Sequence, residues 1–109
     1  MSVTVAGSTY LSRSLNLIGA SDSQKGLIVA WLRLGDADAS DLYAFDLGGK
    51  LTLARNSSNK IVVTGKNSAG VTILQLTSDT SYTYDGETWL GVMASWDLPN
   101  GEGYLYINR

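Results

Sequence analysis

The 109-residue chain contains no cysteine, no histidine and only one proline. The first two absences remove whole classes of chemistry. No disulfide framework, thiolate nucleophile, Cys/His zinc site or Ser-His-Asp triad can be assembled from it. Charge is sparse as well, at 17% of residues, with eight Lys and Arg against ten Asp and Glu and a formal net charge of −2. The basic residues stand singly, whereas binding a phosphate backbone needs them concentrated, so nucleic acid is not an expected partner. Long apolar runs are missing too. No stretch approaches the roughly 20 residues that cross a bilayer, so no membrane insertion is expected. Met1 to Tyr10 has neither the basic start nor the apolar run of a signal peptide.

What is present suffices for one core. The hydrophobic fraction is 44% and the length suits a single domain over residues 1–109. Short extended runs alternate with turn signals. Leu27 to Leu34 is apolar on both alternating faces and reads as a central strand covered on two sides, with Trp31 in the core. Leu42 to Leu47, Lys50 to Arg55, Ile61 to Thr64 and Val71 to Thr77 follow as strand candidates. Gly48-Gly49, Asn56-Ser57-Ser58-Asn59 and Asn67-Ser68-Ala69-Gly70 separate them, the pattern of an antiparallel meander. Trp89 to Asp97 is the next candidate and includes Trp96, a second expected core residue. Leu98-Pro99-Asn100-Gly101 predicts a tight hairpin turn through its Asn-Gly pair. Gly103 to Ile107 then returns with the two tyrosines on one face and Leu105 and Ile107 on the other. Ser8 to Leu17 could be argued for helix, but Thr9 to Arg13 suits an edge strand better. The predicted class is all-β, an antiparallel sandwich or jelly roll with no helix longer than two turns.

Several motifs in order carry a family resemblance. They are Tyr10-Leu11-Ser12-Arg13-Ser14-Leu15-Asn16-Leu17, Gly19-Ala20-Ser21-Asp22-Ser23 and the Ala30-Trp31 strand. Further on come Arg55-Asn56-Ser57-Ser58-Asn59-Lys60, Thr80-Ser81-Tyr82, Ala94-Ser95-Trp96-Asp97-Leu98 and Gly103-Tyr104-Leu105-Tyr106-Ile107-Asn108. This order resembles the laminin G-like, concanavalin A-like jelly roll, as found in bacteriophage and prophage structural or tail-associated proteins. The resemblance implies a virion or extracellular setting and a lectin-like role. Trp89-Leu90-Gly91 stands where family members often carry Trp-His-His. The family pattern also continues beyond its Tyr-Ile-Asn strand, so the likeness spans about the first half of the usual domain. It implies sheets still short of strands, an exposed edge at Tyr104 to Ile107 and association with a copy or a larger assembly.

Candidate sites fall into three groups. Asp36, Asp38, Asp41 and Asp46 offer carboxylate oxygens that calcium could use, although no EF-hand pattern is complete; the rival reading is a solvated loop of turn-forming aspartates. Trp89, Tyr82, Tyr84, Tyr104 and Tyr106 are the candidate ligand-binding aromatics, since sugar rings stack on such faces; the rival is packing at a sheet rim. The only glutamates, Glu87 and Glu102, flank turns and show no hydrolase strand motif, so no catalytic residue is assigned and no enzyme activity is expected. Two function classes follow: a lectin-like module contacting carbohydrate or a host surface, and a structural virion or tail component acting through protein contacts. Convergence of Trp89, the tyrosines and the aspartate loop on one concavity would favour the first.

Overall fold

The computed structural model describes residues 24–34 and 38–108. Its elements are seven strands: β1 (Lys25–Arg33), β2 (Leu42–Leu47), β3 (Leu51–Arg55), β4 (Lys60–Lys66), β5 (Thr72–Ser81), β6 (Trp89–Asp97) and β7 (Glu102–Asn108). The one helical element among the described residues is a three-residue 3-10 turn at Leu98–Asn100. The strands form two antiparallel sheets, β1-β6-β7 and β2-β3-β4-β5, packed together as a sandwich. The all-β expectation therefore holds.

Alternation builds the core. In β6, Leu90, Val92 and Ala94 point inward and are buried, while Trp89 and Met93 point outward. In β3 and β4, Leu53, Ile61 and Val63 do the same for the facing sheet, joined by Leu74 of β5. Burying each of the larger side chains contributes on the order of 1.5–3 kcal/mol. Trp96, expected in the core, packs against this cluster but is only partly buried. Its indole lies across Gly26, where a Cβ would stand 2.2 Å from Cζ2.

The turns follow the polar clusters. Asn56 Oδ1 accepts hydrogen bonds from the Ser58 and Lys60 amides, and Asn67 Oδ1 accepts one from Val71. Asparagine thus closes two hairpins by replacing backbone acceptors. The β6–β7 connection departs from the expected Asn-Gly hairpin. Asp97 caps a 3-10 turn by accepting from the Asn100 amide, and Gly101 alone takes a positive φ, 68°. Pro99 explains the difference, because its fixed φ suits a helical turn and the left-handed residue is needed only at the exit.

β1 corrects the reading of its sequence. It is an edge strand, paired with β6 alone among the described residues, and its residues alternate between exposed and half-buried. Trp31 is 65% exposed and is not a core residue. An apolar run on both alternations shows that neither face is polar; it does not show that both faces are covered. The centre of this sheet belongs to β6.

Candidate docking face

The outward-facing positions of β1, β6 and β7 line up in rows by register. Arg33 lies opposite Trp89. Trp31, Gly91 and Asn108 form the next row, then Val29, Met93 and Tyr106, then Leu27, Ser95 and Tyr104. Lys25, Asp97 and Glu102 end the ladder. Leu27, Val29, Trp31, Trp89, Met93, Tyr104 and Tyr106 are all exposed. Cross-strand neighbours on one face sit about 4.5–5.5 Å apart, so these seven form one continuous apolar surface.

Gly91 shapes the middle of that surface. A Cβ there would stand 3.1 Å from Cη2 and Cζ3 of Trp31, so the indole rests over the glycine backbone of the neighbouring strand. A shallow groove of about 410 Å³ runs beside it, lined by Val29, Trp31, Gly91, Met93, Tyr106 and Asn108 among others. The volume falls in the lower part of the range for small-molecule sites. The Arg33 guanidinium lies 5.8 Å from the Trp89 ring centroid, within cation–π reach.

The two ends of the face differ in charge. Arg33 makes one end basic. At the other, Lys25 Nζ and Asp97 Oδ2 pair at 2.7 Å, and Glu102 forms no ion pair among the described residues. The hydrogen bond from Lys25 holds the Asp97 carboxyl below its ordinary range, and hydrogen bonds from Asn100 act in the same direction against desolvation.

Three of the five sequence-predicted aromatics meet on this face: Trp89, Tyr104 and Tyr106. The other two do not join them there. Tyr82 packs partly buried against the core, and its carbonyl accepts from Arg55. Tyr84 sits in the β5–β6 loop, with its hydroxyl 3.3 Å from where a Gly86 Cβ would be.

The aspartates serve separate structural tasks. Asp38 Oδ1 accepts from the buried Arg55 Nη1 at 2.7 Å and from the Tyr84 amide at 2.9 Å. This arrangement ties the β1–β2 connection to the β5–β6 loop. Asp46 accepts from the Gly49 amide, a local turn contact, whereas Asp41 accepts from the Ser57 amide 16 residues away and ties the β1–β2 connection to the β3–β4 turn. Asp36 lies outside the described residues. Among those described, no group of three or more potential ligands gathers around a common point. Of the three, Asp46 alone acts as a turn-former; Asp38 and Asp41 make long-range links between loops. A second cavity, about 340 Å³ between the β1 and β2 edges, includes Arg55 in its lining, but that guanidinium is engaged with Asp38 and Tyr82.

Glu87 and Glu102 lie near opposite ends of β6: Glu87 just precedes Trp89, and Glu102 pairs in register with Asp97. The eight residue steps of that strand span about 26 Å, far beyond the roughly 5–9.5 Å separating paired glycosidase carboxylates.

Leu27, Val29, Trp31, Arg33, Gly91 and Met93 are the face residues that the sequence reading missed. A signal was available in Lys25 and Arg33, which bracket the apolar run as charges often bracket an exposed edge strand. No protein-family model matches the chain, and no curated protein or solved structure matches it.

Proposed function

We propose that this protein is a non-catalytic assembly module that docks another protein through the outer face of its three-stranded sheet. The carrying observation is the run of seven exposed large apolar residues on one sheet face, with aliphatic Leu27, Val29 and Met93 between the aromatics. Aromatics and methionine are the residues enriched at protein interfaces, and a continuous exposed apolar patch marks interaction sites. The wide separation of Glu87 and Glu102 and the absence of histidine and cysteine support a non-catalytic role. With the sequence resemblance, this reading makes the chain a laminin G-like jelly-roll component of a phage or prophage particle.

A lectin-like role is the second reading, favoured by one specific observation. Trp31 rests on Gly91 beside a groove also lined by Tyr106 and Asn108, an arrangement of stacking ring and hydroxyl-bonding amide that suits a sugar. A glycan array separates the two. The assembly reading expects no glycan signal above background. A saturable signal abolished by Trp31→Ala and Trp89→Ala would replace it with the lectin-like one.

A further inference from the structure

We propose that Asn100 is a self-modification site: the Gly101 backbone nitrogen converts its side-chain amide to an acid, at a pace set by the Asp97 carboxylate. The inference stands apart from the docking reading and concerns the turn that joins β6 to β7.

Local chemistry singles out this asparagine. Asn56, Asn59 and Asn67 are half-buried and precede Ser57, Lys60 and Ser68. Their side-chain oxygens accept backbone amides that hold each one in its loop. Asn100 is exposed, lies in a turn between two strands and precedes Gly101. Glycine carries no Cβ, so it leaves its own backbone nitrogen unshielded. A Cβ built at Gly101 would meet nothing within 4 Å, so no neighbouring group crowds that residue either. The nucleophile is one residue from its target, which makes the reaction intramolecular, with water as the one co-reactant.

In the first step the Gly101 nitrogen attacks Asn100 Cγ. The N–Cγ bond forms, the Cγ–Nδ2 bond breaks, and the proton lost by the Gly101 nitrogen leaves with Nδ2 as ammonia. Water then opens the resulting succinimide ring. Opening at Cγ gives aspartate. Opening at the main-chain carbonyl gives isoaspartate, with Gly101 now linked through the side chain. Nothing is oxidised or reduced.

The turn restrains both reacting nitrogens. Asn100 Nδ2, the leaving group, donates to Asp97 Oδ2 at 2.8 Å, and the Asn100 amide donates to Asp97 Oδ1 at 3.3 Å. The Gly101 amide, the nucleophile, donates to the Leu98 carbonyl at 3.1 Å. Lys25 Nζ anchors the same Asp97 oxygen from β1, at 2.7 Å. Ring closure therefore waits on local opening of the turn, and Asp97 with Lys25 sets how often it opens.

The product acts on the sheet. A carboxylate at position 100 adds negative charge between Asp97 and Glu102, which pair in register across the turn. Isoaspartate also inserts one carbon into the backbone of that turn. The turn fixes the register in which Tyr104 lies opposite Ser95 and Tyr106 opposite Met93.

Peptide mass spectrometry of the full chain, held at mildly alkaline pH and sampled over weeks, tests this. Circular dichroism confirms that each variant is folded at the start. Asn100 should convert ahead of every other asparagine, to a mixture of aspartate and isoaspartate. Asp97→Ala should speed the conversion roughly fivefold or more, about the factor carried by one lost hydrogen bond. Lys25→Ala, which leaves the Asp97 cap in place, should speed it by a smaller factor. Conversion of another asparagine while Asn100 stays intact overturns the site. Aspartate without isoaspartate means direct hydrolysis by water and overturns Gly101 as the nucleophile. Wild-type or slower rates in both variants overturn Asp97 as the restraint.

Discussion

The outer faces of the two sheets are built on the same alternation but have opposite chemistry. On the four-stranded sheet the outward rows pair Thr52 with Thr64 and Ala54 with Val62, then continue to Gln75 and Thr77, with Tyr43 and Ile73 as the exposed large apolar residues. On the three-stranded sheet the same kind of position carries Trp31, Trp89, Tyr104, Tyr106, Val29, Leu27 and Met93. Small and hydroxyl-bearing side chains let water solvate the first face at little cost. The second exposes large apolar side chains at every row between its charged ends. Both sheets share one interior, so the contrast is not needed to hold the sandwich together. Under the proposed function, it distinguishes a solvated face from a docking face.

The strongest way to break this contrast is to compare the outer face with the shared core. Leu53→Ala, at a fully buried position, should cost about 2–5 kcal/mol in denaturant unfolding. Trp31→Ser should change the stability of the unassociated chain by less than about 1 kcal/mol, as surface substitutions do. If Trp31→Ser costs as much as Leu53→Ala, the face is core and the distinction fails. Gly26→Ala sharpens the same point from inside. Its added Cβ would meet the Trp96 ring, a rigid neighbour, and the overpacking should cost about 1–3 kcal/mol in a melt at fixed low concentration. A neutral result would mean that Trp96 has room to move outward.

The smallest effect concerns pH. The folded carboxyl of Asp97 lies below its ordinary value, chiefly through the Lys25 hydrogen bond, so its stabilising contribution is present above that ordinary value. It is lost as pH falls through the lowered folded value. The stability gap between wild type and Asp97→Asn should therefore close as urea midpoints are taken from neutral pH into the acid range. A gap independent of pH would place the contribution in the turn capped by residue 97 and not in its charge.

Much of the fold was legible because alternation and turn residues agree. Trp89–Asp97 was read with its observed bounds, and the meander through β5 followed from the asparagine and glycine turns. β5 runs beyond the expected Thr77 to Ser81, through residues with no apolar signal. The buried Ser78 hydroxyl accepts the Ile61 amide and donates to the Thr80 carbonyl, sustaining the irregular pairing there. The candidate site was legible only in part. Tyr104 and Tyr106 declared their common face by period two, whereas Trp31 sat in a run apolar on both alternations, where period cannot tell the covered side from the open one. Asp38 looked like a metal ligand because its real partner, Arg55, lies 17 residues away in sequence and pairs with it only in the folded chain.

The absence of cysteine makes the central claim directly measurable. Met93→Cys puts a single thiol on the outer face of the three-stranded sheet, and Thr64→Cys puts one on the outer face of the other sheet. Labelling by an uncharged aromatic maleimide is compared with labelling by a negatively charged one at both positions, at low micromolar concentration. The Met93→Cys variant should favour the aromatic reagent, because its neighbours on the face are apolar, while the Thr64→Cys variant shows little preference. Equal preferences at the two positions would contradict the account.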